Sequence, residues 1–298
     1  MDTHFSSGRH FIISQGRLLE RRLFATCFEG APGAGVVDAL RGYHNDDGGF
    51  GHGLEPDKRC PVSLPIDVEV ALHAMATAGT SDEQLVAGAC EYLAKVAAEA
   101  DRGGAVPPAF PVIEGYPRAA HWTDWTYEPG LNPTAGLVGV LRRLGAEHAW
   151  IDEATAWCWS QIEDAELPDE AHALSEVLVF LEHVPERPRA EAAARRVRDR
   201  LATAPLFQLD PAAEGYGLSP LSYASAADSP WRVLFDEQII SAHLDRLERQ
   251  QEPDGGWPIS WDPPSDASRL EWRGIVTLSA LRTLSSYGRL GRPATPGR

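Results

Sequence analysis

The chain is expected to be all-α, an (α/α) toroid (barrel) of inner and outer helices built from five to six helical hairpins with long loops at one rim. Three observations predict this. Helix-like apolar periodicity recurs along the whole length, and no ladder of alternating apolar and polar residues appears between the segments. Loops rich in Gly and Pro separate the segments, at residues 49–65, 107–133, 164–170, 206–230 and 255–271. A turn with paired glycines also occurs twice in matching register, as Leu40-Arg-Gly-Tyr-His-Asn-Asp-Asp-Gly-Gly-Phe50 and Leu247-Glu-Arg-Gln-Gln-Glu-Pro-Asp-Gly-Gly-Trp257. Consecutive antiparallel helix pairs can bury their apolar faces only against neighbouring pairs, and closing the row into a ring leaves no face uncovered.

The elements follow in order. Residues 10–28 carry Phe11, Ile12, Leu18, Leu19, Leu23 and Phe24 at helical spacing, and Gly30 terminates them. A shorter helix covers 36–43. After the first loop, 66–78 places Ile66, Val70 and Met75 on a broad apolar face and stops at Gly79, and Ser81 or Asp82 caps a helix running to about residue 99. The stretch 102–133 is the longest irregular one, and its aromatic density marks an ordered, functional loop. Asn132 and Pro133 open a helix that ends at Gly145, and helices at 150–162, 168–184 and 188–201 continue the alternation. A second long loop, 204–230, holds Tyr216 and Tyr223. Helices from 231 or 233 to 250 and over 272–287 complete the fold. One domain is expected over residues 1–289, with 290–298 a mobile tail containing Pro293 and Pro296.

Composition narrows the function classes. With 298 residues, 43% hydrophobic and 23% charged, the chain has enough apolar material for one large core. No apolar run reaches bilayer length, so integral membrane association is not expected. The N-terminus lacks a signal-peptide pattern, so a cytoplasmic location is expected. Cys27, Cys60, Cys90 and Cys158 show no C-x-x-C spacing, which favours reduced thiols. A net charge of −16 argues against a nucleic-acid partner. Arg195, Arg196, Arg198 and Arg200, interleaved with Glu191 and Asp199, read as a solvated helix face.

Candidate chemistry concentrates in the loops. Asp47 and Asp254 read as turn staples whose carboxylates accept backbone N–H bonds, with Phe50 and Trp257 plugging gaps between helices. Glu55-Pro56, Glu128-Pro129 and Asp262-Pro263 precede helices in corresponding positions, so a toroid would turn several carboxylates toward one mouth. There each raises the pKa of the others and one can stay protonated as an acid, although each could equally cap its helix. The catalytic candidates are Asp57, Glu55, Glu128 and Asp124. His52, His121, Trp122, Trp125, Tyr127, Trp261, Glu271 and Trp272 are candidates for substrate binding, their rings able to line an apolar cavity and to face a cation. Glu69, inside an apolar helix, requires a partner such as Arg59 or Arg273. His73 and His243 read as satisfied helix residues. No metal and no cofactor is expected.

Gln250 or Gln251 with Asp254-Gly-Gly-Trp257 resembles the glutamine-tryptophan repeat of squalene-hopene cyclases and related terpenoid cyclases, and is similar to the Asp-Gly-Gly turns of protein prenyltransferase β-subunits. Asp47-Gly-Gly-Phe50 is a copy lacking the glutamine. The resemblance covers residues 38–79 and 240–288. It implies an (α/α) toroid and a cyclase-like enzyme that transfers a proton from a carboxylic acid to an apolar, isoprenoid small molecule in a central cavity. The chain departs from that pattern in three places. It has no Asp-x-Asp-Asp tetrad, Asp46-Asp47-Gly-Gly-Phe50 lacks the last acid of an Asp-Asp-x-x-Asp metal site, and no cysteine follows an aspartate at the spacing of the prenyltransferase zinc site. Two further functions fit the same residues: a carbohydrate-active α/α barrel with paired carboxylates, and a non-catalytic toroid binding a ligand or protein.

Overall fold

Gly16 and Arg17 split the first predicted helix in two. Arg17 is extended and a side chain at Gly16 would press on the Ile12 carbonyl, so α1 (Thr3–Gln15) ends and α2 (Leu18–Glu29) begins there. The computed structural model describes residues 3–123, 126–164 and 166–290, so the predicted tail from 291 onward lies outside the described residues. The chain continues with α3 (Ala34–Leu40), α4 (Pro65–Thr77), α5 (Glu83–Ala100), α6 (Leu131–Arg143), α7 (Ala149–Glu163), α8 (Ala171–His183) and α9 (Arg187–Leu201). The short α10 (Pro220–Tyr223), then α11 (Glu237–Arg249) and α12 (Asp266–Ser286), complete it. Among the described residues there are only isolated bridges and no strand, so the all-α expectation holds. No helix there is long and apolar enough to cross a membrane.

Local chemistry sets several of these boundaries. Asp82 caps α5 as read, accepting the Leu85 N–H at 3.0 Å, and Gly30 ends α2 with φ 74°. The last helix starts at Asp266 rather than 272, because the Ser265 side chain accepts the Ser268 N–H at 3.1 Å. Residues Pro230–Leu234 form a 3₁₀ turn, which delays α11 to Glu237.

The chain divides into two compact units, Pro32–Phe207 and the pair Met1–Ala31 with Gln208–Arg298. In the first, α4 packs on α6 and α6 on α8, while α5, α7 and α9 pack behind their predecessors, giving three successive helical hairpins. Helix α6 is the centre of this row and is buried without a break from Pro133 to Leu141. Its Gly139 allows α8 to approach closely, since a Cβ there would lie 2.6 Å from the Val179 carbonyl oxygen. In the second unit, α1, α2 and α11 pack on α12, and the Phe5, Phe24 and Phe28 rings cluster at centroid distances of 5.0–5.8 Å.

The repeated turn has the same backbone in both units. Asn45 N–H bonds to Gly49 O at 3.0 Å and Glu252 N–H to Gly256 O at 2.8 Å, and Gly49 and Gly256 donate to Asp47 Oδ1 and Asp254 Oδ1 at 2.9 and 3.0 Å. Gly48 and Gly255 take φ of 89° and 92°, the left-handed region that favours glycine. Both aspartates therefore act as turn staples. A Cβ at Gly48 would lie 2.6 Å from the Gly88 carbonyl oxygen, and one at Gly255 would strike that of Ser7. Gly48→Ala and Gly255→Ala should each lower stability by roughly 1–3 kcal/mol in urea titrations, from forced positive φ plus backbone collision.

Candidate functional site

Two loops of the first unit, distant in sequence, are sewn together by backbone bonds. Arg59 N–H donates to Pro117 O at 3.0 Å and Ala119 N–H to Asp57 O at 2.8 Å. This brings Glu55, Asp57 and Lys58 beside His121 and Trp122. Asp57 is 3% exposed, and its Oδ2 lies 3.4 Å from Nε2 of the half-exposed His121. Lys58 is fully buried, ion-paired with Glu55, and its Nζ stands 4.6 Å from the Trp122 ring centroid, a cation–π contact. Glu55 is held further by its backbone N–H, which donates to Asp67 Oδ1 at 2.7 Å. Burial pushes the His121 imidazole below its usual pKa; the Glu55 carboxylate opposes this, while Lys58 and His172 add to it.

Deeper in the same unit, α4 and α8 present a second group of acids across α6. Glu69 of α4 meets Glu176 of α8 over Gly136, where an added Cβ would collide with Glu69 Oε1 and Glu176 Oε2 together. Those two oxygens are buried, and the only hydrogen bond open to them is the one between the two carboxyl groups. Two facing carboxylates in a dry site cannot both ionise without a positive charge between them. Here that charge is a proton shared between them. Burial, and then the neighbouring Glu176, push Glu69 well above the usual carboxylate range, and burial pushes Glu176 up to about 7. His73, one turn after Glu69, brings a ring nitrogen to within 4.8 Å of both carboxyl groups. His172, one turn before Glu176, is bonded through Nδ1 to Glu170, which also caps α8 by accepting the His172 and Ala173 N–H groups at 2.9 Å.

Of the expected site residues, Glu55, Asp57, His121 and Trp122 are thus brought together. Glu128 is exposed in its loop. His52 is exposed and bonded to Asn45 Oδ1 at 2.9 Å, and the Tyr127 hydroxyl donates to Glu114 Oε1 at 3.1 Å. Asp124 and Trp125 lie outside the described residues. Trp261, Glu271 and Trp272 belong to the second unit, where Trp261 sits between Tyr216 and Trp272 at centroid distances of 5.4 and 5.1 Å. Trp261 also lines a cavity of about 330 Å³ with His243, Arg246, Gln250 and Trp257.

The partner expected for Glu69 is corrected. It is Glu176, whereas Arg273 is bonded to Asp254 and Glu252. Sequence reasoning missed Glu176, His172 and Lys58. The signal was present: Glu69-x-x-x-His73 and His172-x-x-x-Glu176 mirror each other at one-turn spacing.

Comparison of the chain with protein-family models, curated proteins and solved structures gives no match. Function is therefore argued from the site itself.

Proposed function

We propose that the chain is a cytoplasmic (α/α)-toroid enzyme of the terpenoid-cyclase type, which moves a proton on an apolar, isoprenoid-like substrate, with Asp57 and His121 carrying that proton. The observation that supports it is the convergence of Glu55, Asp57, His121 and Trp122 from two separate loops. The hairpin row of the first unit, and the turn that recurs in each unit, support the toroid part of this reading. Four free cysteines suit a reducing compartment.

In this reading His121 links solvent to the buried site. Burial keeps it neutral at pH 7, ready to accept a proton, and the Asp57 carboxylate behind it stabilises the imidazolium that forms. The Glu55–Lys58 ion pair fixes the loop, and Trp122 supplies an aromatic wall next to any charge that develops on the substrate. The carboxylic acid expected to carry the proton is thereby joined by an imidazole.

Incubation with prenyl diphosphates and linear isoprenoids, read by mass spectrometry, tests the proposal. An isomeric or cyclised product should form, with kcat reduced roughly 10²–10⁴-fold in His121→Asn and strongly in Asp57→Asn. The rate should rise with pH through an apparent pKa below 6.5 and then stay flat, because the neutral imidazole is the competent form. Turnover of sugars in place of isoprenoids would replace this reading with the carbohydrate one. Turnover of neither would leave a binding protein.

A further inference from the structure

We propose that Glu69, His73 and Glu176 form a binding site for one divalent transition-metal ion of the zinc or manganese class. The inference stands on residues other than the proton-carrying pair and does not require that reading to hold.

Placement is the first argument. Glu69 and His73 are one turn apart on α4, so they share a face, and Glu176 reaches the same point from α8. One donor atom from each residue lies within 4.8 Å of the other two. Ligands bonded at ~2.0–2.2 Å to a tetrahedral ion stand about 3.4 Å apart, a separation small side-chain rotations reach. All three are carried on packed helices rather than on mobile loops, the arrangement a preorganised site needs.

Burial without partners is the second argument. Glu69 is 8% exposed, yet neither its Oε1 nor Oε2 of Glu176 accepts a hydrogen bond from any group outside this pair of carboxyls. Neither glutamate is paired with a lysine or arginine among the described residues. Buried carboxylates left without donors are costly, and proteins retain them where they coordinate metals. The facing helix is cut away at this point, since any residue larger than Gly136 would fill the space between the two carboxyl oxygens.

Charge and donor type select the ion. Two carboxylates and a neutral imidazole balance a dication, whereas a monovalent ion would leave a net negative charge in the interior. One nitrogen and two carboxylate oxygens suit zinc, manganese or iron(II), and the imidazole disfavours calcium and magnesium. Three protein ligands leave a coordination position open, as in catalytic rather than structural sites. His172, held by Glu170 one turn before Glu176, stands in the surrounding layer.

The test uses the full chain stripped with chelator and titrated calorimetrically with Zn²⁺ or Mn²⁺ alone. One ion per chain is expected, with thermal unfolding shifted upward. Glu69→Gln and Glu176→Gln, with helicity checked by circular dichroism, should weaken binding by more than the roughly 10–100-fold that loss of an outer-layer partner costs. Glu147→Gln, at an exposed position outside the site, should bind as wild type does. Electron spin-echo spectroscopy of the Mn²⁺-loaded wild type should show one coupled imidazole nitrogen, a readout that needs no variant to fold. Absence of stoichiometric binding, binding unchanged in both glutamine variants, or a bound Mn²⁺ without nitrogen coupling would overturn the site.

Discussion

Glu176→Gln will stabilise the metal-free protein in alkaline solution, by on the order of 2–3 kcal/mol at pH 8. In the folded chain burial raises this carboxyl to about 7, so folding favours its protonated form. That contribution is fully present below the ordinary carboxylate pKa and is lost as pH rises through about 7, because the folded state must then ionise a carboxyl held away from water. A glutamine side chain carries no charge to desolvate, and its amide can donate to Glu69. Urea titrations in the presence of chelator should therefore show wild-type stability falling more steeply between pH 5 and 8 than that of the variant, which keeps only the contribution of the buried Glu69. Parallel pH curves for the two proteins would mean that the carboxyl groups are not held together as described.

The second large effect is expected at Gly139. A methyl group there meets the Val179 carbonyl oxygen at 2.6 Å and the Phe180 nitrogen at 2.9 Å, both backbone atoms of α8 that no side-chain rotation can clear. Gly139→Ala should cost about 3 kcal/mol through overpacking, despite the gain in helix propensity, because α8 must move away from α6. Gly136→Ala should behave differently. The atoms it strikes are the ends of the Glu69 and Glu176 side chains, so the fold should survive with the two carboxyl groups driven apart. Gly42→Ala, where an added methyl meets nothing within 4 Å, serves as the control and should stay within about 1 kcal/mol of wild type. Equal losses at Gly139 and Gly42 would show that the close approach of α6 and α8 does not exist.

What was legible in the sequence follows the range of the forces involved. Asp82 as a cap, Gly30 as a stop and the two Asp-Gly-Gly turns depend on neighbours a few residues away, and the structure bears them out. Composition also singled out Glu55, Asp57, His121 and Trp122 before their convergence was visible. Their pairing depends on the backbone seam between Arg59 and Pro117, which leaves no trace in either loop alone. Glu69 was marked as a buried acid in need of a partner, but an arginine was expected because an ion pair is the usual remedy for a buried carboxylate. Its true partner lies on α8 and meets it only because α6 stands between them with a glycine at the crossing. Trp261 and Trp272 were selected for aromatic density, a property that does not tell which unit a residue joins.

The most direct test of the site assignment is photolabelling of the intact protein with a diazirine-bearing isoprenoid alcohol, followed by peptide mapping. Labels on residues 54–60 and 119–123 are expected, reduced by competing unlabelled isoprenoid and by His121→Asn. Labels confined to the Trp257–Trp261 cavity of the other unit, or labelling that no isoprenoid competes away, would contradict the account and move the search for the working site there.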